Sequence, residues 1–302
     1  MASSSTYTVD SMVNWTLPFV DNVPLTRNGT NEPALSIANI VMQIILQIPF
    51  RWRWNRKVTG FICQPGVQDY LLGNWLKETN YAAGFRTIDS NGNSQRVTTA
   101  GTSGSDQPAW NPAANDTTND NTIVWTNDGP IPNGANFSTF YWIENATVND
   151  LATQQKWWSL APKIDLELSA VQSRPMNIAA ELDDGQGNIT YRLMPPPDQA
   201  YPVAITLQQK PAVITKLSQT FAPIPDEYLM VVRWGFLAWA NYYLGRISDF
   251  QVANAKFVAG LLAAQTGLTE TEKDAFLKAY DSFTASQMFL SKLQQGNAAR
   301  GS

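Results

Sequence analysis

The sequence predicts an α+β protein: a bundle of about four helices with a large β-rich domain inserted between the first and second long helices. Three observations predict it. Between Tyr191 and Leu262 the chain turns, through a proline-gated corner, from alternating strand-like patterning to a helical period of about 3.6 residues. From residue 226 onward apolar residues recur at helical spacing, and the middle of the chain is a run of short alternating segments parted by Gly, Asn, Asp and Pro. With 302 residues, 44% of them hydrophobic, the chain is long enough to bury a substantial core.

Taken in order, residues 1–30 show no sustained period and are punctuated by Pro18, Pro24 and Gly29, which predicts an extended N-terminal arm. Residues 31–50 form a helix. Thr30 or Asn31 offers an N-cap, Pro33 suits the first turn, and Leu35, Ile37, Ile40, Val41, Ile44, Ile45 and Ile48 give a broad apolar face that Pro49 ends. The β-rich domain spans 51–221. It opens with Trp52 and Trp54 alternating with Arg51, Arg53 and Arg56, which reads as a strand with tryptophans inward. Strands at 58–63 and 67–72 follow, joined by a Pro65-Gly66 turn.

Residues 87–150 form an acidic, loop-rich insertion, with seven acidic residues against Arg96 alone. Further strands fall at 138–144, 164–169, 176–182, 189–194 and 203–208, with a turn from Asp183 to Asn188. Residues 222–295 complete the helical domain with residues 31–50. A helix at 226–244 carries acids in its first turn and stops near Gly245. Ser248 with Gln251 and Thr269 with Glu272 are capping boxes that open two more, and Gly267 and Gly296 are stops. Residues 296–302 form a flexible tail.

Composition narrows function. The chain has no histidine and one cysteine, Cys63, so the usual general base, the commonest metal ligand, every Cys/His zinc set and an internal disulfide are all missing. A non-enzymatic role without cofactor or metal is expected. A net charge of −4 argues against general duplex binding. The longest apolar run, 37–50, is interrupted by Asn39, Gln43 and Gln47 and is shorter than the roughly 20 residues a membrane span needs. No secretory leader opens the sequence, so synthesis in a cytoplasm is expected.

Several groups invite a functional reading beside a plain one. Asp183 and Asp184 could be a carboxylate pair, which a hydrolytic role would require; hairpin turn residues are the plainer reading. Asp116, Asn119, Asp120 and Asp128 could ligate a hard cation, but they lack a calcium-loop spacing and read as a solvated loop. The Arg/Trp alternation at 51–56 could be a stacking surface for single-stranded nucleic acid or a membrane-interface patch; outward arginines meeting a neighbouring subunit are the favoured version. On the 226–244 helix, Phe236, Trp239 and Tyr243 share a core face, which leaves Trp234 and Tyr242 on another side as a subunit contact or as intrachain packing.

The passage from Tyr191-Arg192-Leu193-Met194 through Pro195-Pro196-Pro197 and the strand closing in Gln209-Lys210-Pro211 to Ile224-Pro225-Asp226-Glu227-Tyr228 resembles the head-to-tail adaptor, or connector, proteins of tailed bacteriophages. The early helix followed by a small hairpin ending in Asp69-Tyr70 is similar to the same family, and the likeness covers about half the chain. The stretch from Gln107 to Gly129 looks like a small β-module of phage tail and fibre proteins. This resemblance implies an adaptor-like helical bundle and a structural virion protein at the head–tail junction, made in the host cytoplasm. It further implies a homo-oligomeric ring of twelve copies below the portal protein, joined to a downstream tail or nozzle protein, with genomic DNA passing non-specifically through the lumen and no membrane. Arg51, Arg53, Arg56, Trp234, Tyr242 and Arg300 are the expected subunit or portal contacts. The alternative is a tail or fibre component that binds host carbohydrate through Trp110 and Trp125.

Overall fold

The computed structural model describes residues 5–27, 30–47, 49–131, 134, 142–150, 153, 155–183, 187–265, 267–282 and 284. The chain divides into two compact units, one of Met1–Trp54 with Pro211–Ser302 and one of Asn55–Lys210. The expected adaptor-like helical bundle is not the dominant architecture. The largest element is a mixed sheet of eleven strands, and strand content, 31%, stands level with helix content, about 30%. The reason lies in the 87–150 segment: expected to be loop-rich, it supplies four of the sheet's strands in full.

In the first unit the N-terminal stretch is not simply extended. Helix α1 (Val9–Thr16) is capped by Thr8, whose Oγ1 accepts the Ser11 N–H at 3.2 Å, and it buries Val9, Met12, Val13 and Thr16 along one stripe. Strands β1 (Thr26–Arg27) and β2 (Thr30–Pro33) then pair antiparallel. Thr30 and Asn31 therefore belong to a strand, and Pro33 takes the N-cap position of α2 (Ala34–Leu46). Helices α3 (Leu229–Tyr243), α4 (Ile247–Ala263) and α5 (270–282) complete the unit.

A Cβ at Gly235 of α3 would lie 2.9 Å from the Phe257 ring of α4 and 3.1 Å from a Val41 methyl of α2, so glycine lets three helices converge there. Phe50, Trp52, Phe221, Phe236, Trp239, Phe250, Phe257, Phe276 and Tyr280 fill the shared core. The Ser248–Gln251 capping box does not form: α4 starts at Ile247, behind an Arg246 N-cap with no side-chain bond, which puts Ser248 inside the helix. The Thr269–Glu272 box does form. Glu272 Oε2 accepts the Thr269 N–H at 2.9 Å, and Thr269 Oγ1 accepts the Glu272 N–H at 3.2 Å.

In the second unit thirteen strands follow. They are β3 (Arg56–Ile62), β4 (Asp69–Leu72), β5 (Asn80–Tyr81), β6 (Arg86–Ile88), β7 (Asn93–Thr99), β8 (Gly101–Thr102), β9 (Thr117–Asp120), β10 (Ile123–Pro130), β11 (Trp142–Asn149), β12 (Lys156–Lys163), β13 (Asn177–Asp183), β14 (Ile189–Met194) and β15 (Pro202–Gln208). Eleven form one sheet in the order β3-β15-β11-β12-β13-β14-β4-β6-β7-β10-β9, while β5 and β8 pair apart. The pairs β12–β13 and β4–β6 are parallel, the others antiparallel.

The expected hairpin between 58–63 and 67–72 is absent. Strand β3 pairs with β15, and β4 pairs with β14 and β6. Strand β15 is buried at six of its seven positions, so it takes the interior place between β3 and β11 that a strand apolar on both faces requires. Strands β3 and β4 meet through side chains instead: Phe61 and Tyr70 stack at 4.3 Å with an interplanar angle of 17°. Around them lies the main core of Tyr191, Leu193, Val203, Ile205 and Leu207. Cys63 is buried there, and desolvation pushes its thiol up to about 12. A smaller core gathers Tyr81, Phe85, Val97, Trp110, Ile123 and Trp125.

Candidate interaction surface

Residues 164–169 are not a strand. Strand β12 ends at Lys163, and 164–176 is an extended connection that crosses to the parallel β13. Its alternation of Ile164, Leu166 and Leu168 with acids reads as a strand, but the backbone is engaged elsewhere. The Leu166 N–H donates to Glu181 Oε1 at 3.1 Å, and Arg192 Nη1 donates to the Leu166 carbonyl at 2.9 Å. Buried Gln68 donates to the Glu167 carbonyl at 2.8 Å and accepts the Ser169 N–H at 3.1 Å, and the Ser173 N–H reaches the Pro196 carbonyl at 2.9 Å.

Leu166 and Pro175 are sunk into the unit at either end of the connection. Between and beyond them, large apolar side chains face solvent: Ile164 is 97% exposed, and Leu168, Val171, Met176 and Leu182 are also exposed. A segment tied down along its backbone while it presents aliphatic groups to water has the anatomy of a surface that another protein covers.

Aromatic groups adjoin it. Half-exposed Trp157 stacks on Trp158 at 5.8 Å and 12°, the Arg174 guanidinium sits 3.8 Å from the Trp158 ring centre, and the Trp158 indole N–H donates to the Pro175 carbonyl at 2.8 Å. Arg192 braces the base of the patch with two bonds to Asp69, at 2.7 and 3.0 Å, and that hydrogen bonding raises its pKa further. Lys163, Asp165, Glu167 and Arg174, all exposed, intersperse charge along the same stretch. Part of the signal for this surface was present in the sequence, as two adjacent tryptophans; that they share one side was not, because a register shift between β11 and β12 at Trp157 breaks the usual strand alternation, and only Trp158 packs on the core cluster.

The expected contact residues are scattered. Arg51 pairs with Glu272 at 2.8 Å, and Arg56 pairs with Glu144, so intrachain carboxylates engage both. Arg53 is exposed, but it lies in a 3-10 turn, Arg53–Asn55, not in a strand. The strand expected at 51–56 gives way because Trp52 and Trp54 stack on each other at 5.1 Å and pack against Tyr228 of the helical unit. Trp234 meets Trp15 edge-on at 6.2 Å and carries the Lys256 ammonium 4.2 Å from its ring centre, while Tyr242 packs on Trp239 and Phe250. Both are partly buried within their own unit; Tyr243, expected in the core, is exposed. Arg300, the 296–302 tail and Asp184 lie outside the described residues.

The tryptophans expected to face a glycan are core residues: Trp125 is 0% and Trp110 8% exposed, and their rings meet edge-on at 5.4 Å. The acids weighed as cation ligands have other tasks. Asp128 holds Arg96 and Asp116 bonds Asn111. Asp120 is buried and accepts the indole N–H groups of Trp75 at 2.8 Å and Trp125 at 3.1 Å and the Gly104 N–H at 2.7 Å. Among the described residues no three His, Cys, Asp or Glu side chains come together as a metal site would need, and no helix is long and apolar enough to cross a membrane. No protein-family model matches the chain, and no curated protein matches it.

Proposed function

We propose that this chain is a structural assembly subunit of a phage virion, acting as a head-to-tail adaptor that closes into a ring below the portal and joins capsid to tail. The observation that carries the assembly reading is the pinned connection 164–176, whose exposed Ile164, Leu168, Val171 and Met176, together with Leu182 of β13 and Trp157 of β12, are apolar groups left facing water. The more specific adaptor reading comes from the likeness of the Tyr191–Leu262 region and does not need the helical bundle to dominate the fold. Side-by-side contacts between copies close a ring when the rotation relating them divides a full turn. Portal protein on one side and a tail or nozzle protein on the other are the partners, and DNA passes without being held. The glycan alternative loses its basis with the burial of Trp110 and Trp125.

Negative-stain imaging of the full chain, alone and mixed with portal protein, tests both levels. Rings, or addition to the portal, are expected, with loss of assembly in Ile164→Asp/Leu168→Asp. A wild-type protein that remains monomeric and never joins portal refutes the adaptor reading. Assembly unaffected by the double substitution refutes the role of the 164–182 surface.

A further inference from the structure

A face of the helical unit carries the chemistry that the exposed 164–176 connection lacks. Just after α1, Phe19 is 52% exposed and packs on Trp15 at 4.9 Å, and Trp15 meets Trp234 edge-on at 6.2 Å. Two cations lie on these rings: the Arg233 guanidinium is 5.2 Å from the Trp15 ring centre, and the Lys256 ammonium is 4.2 Å from that of Trp234. Among the described residues neither forms an ion pair, and Arg233 Nη1 reaches only the weak acceptor Met230 Sδ, at 3.9 Å. Met230 itself and Val252, one turn from Lys256 on α4, are exposed. Aromatic rings bearing cations that their own chain leaves without acids suit a partner that brings aliphatic groups and carboxylates together.

The pinned connection is such a partner. Asp165 and Glu167 are exposed between the exposed Ile164 and Leu168, and among the described residues neither forms an ion pair. Asp165 acts on Arg192 only from a distance, because that guanidinium is bonded to Asp69. Charge over the whole units has the same sense: the helical unit has eleven basic and ten acidic residues, the β unit ten basic and fifteen acidic. We propose that the Trp15–Phe19–Trp234 face of one copy receives the 164–168 stretch of the next, with Arg233 and Lys256 meeting Asp165 and Glu167. A second copy is the occupant because one sequence holds both halves of the contact. Unlike faces in contact make a heterologous joint, which a ring needs. The inference rests on the assembly reading and names the two surfaces that meet.

Mass photometry of the full chain, alone and with portal protein, follows the joint. Arg233→Glu/Lys256→Glu and Asp165→Lys/Glu167→Lys should each weaken assembly at least about tenfold, since each sets like charges face to face. Mixed one to one, the two variants should assemble again, because every reversed face then finds an opposite one. Carbodiimide, which joins an amine to a carboxylate in contact with it, applied to a mixture of isotope-labelled and unlabelled wild-type chains, should link Lys256 to Asp165 or Glu167 in mixed-isotope peptides. If either variant does not fold, that link decides. A wild type that stays monomeric, alone and with portal, overturns the assembly reading and the joint together. A wild type that assembles while the reversed variants assemble equally well, while their mixture stays apart, or without the mixed-isotope link, overturns the joint alone.

Discussion

Asp120 shows how one side chain can organise a small core. Its carboxylate takes three N–H donors, two of them from indoles whose rings build the cluster around Trp125. Removing it orphans all three, and a buried donor without a partner costs about 1–3 kcal/mol. Asp120→Ala should therefore destabilise the β unit by roughly 3–5 kcal/mol, with Asp120→Asn intermediate, in urea unfolding followed by tryptophan emission. The two tryptophans were legible as the centre of a short self-contained β segment, because turn-forming Asn, Asp and Gly surround them. The acid beneath them was not. In Thr-Thr-Asn-Asp a buried carboxylate looks like a solvated one until Trp75, remote in sequence, is brought onto it.

At the scale of elements, local chemistry decided what could be read. The α5 start was visible because Thr269 and Glu272 satisfy each other's backbone N–H within a single turn. Those hydrogen bonds, led by the one from the Thr269 backbone, hold the Glu272 carboxyl below its ordinary 4.5. A depressed carboxylate stabilises the fold above its unfolded pKa and loses that contribution as pH falls through the folded value. Thr269→Ala should cost about 1 kcal/mol at pH 7, and the gap from wild type should narrow below about pH 4.5 in urea titrations across pH. A gap that does not change with pH would show that the reciprocal bond is not the source. The β3–β4 hairpin that the sequence suggests does not form, for the opposite reason. A Pro-Gly turn specifies a reversal but not a partner, and the partner was set by β15, which has two edges to fill. The α1 stripe of Val9, Met12, Val13 and Thr16 was readable behind its Thr8 cap but is only two turns long.

For the whole molecule, the helical unit is assembled from both ends of the chain, and the Asn55–Lys210 unit is a single unbroken stretch with two cores of its own. Expressed alone, 55–210 should fold, giving a cooperative thermal transition and a strand-type far-ultraviolet spectrum; a broad, non-cooperative melt would refute this independence. The 1–54 fragment should stay unfolded by the same measurement, because α2 packs against residues from beyond position 211. The broad division into helical ends and a strand-rich middle followed from periodicity. The dominance of one sheet did not, because pairing between strands distant in sequence leaves no local trace.

Continuity of one unit and division of the other impose an order on biosynthesis. As the polypeptide leaves the ribosome, the greasy faces of α1 and α2 emerge early and must wait, unpartnered, while the entire β unit is translated and can close by itself. A message cut short after residue 210 would thus yield a finished β body trailing a sticky leader, a natural target for chaperones and proteases, whereas full-length chains bury the same segment as α3 and α4 arrive.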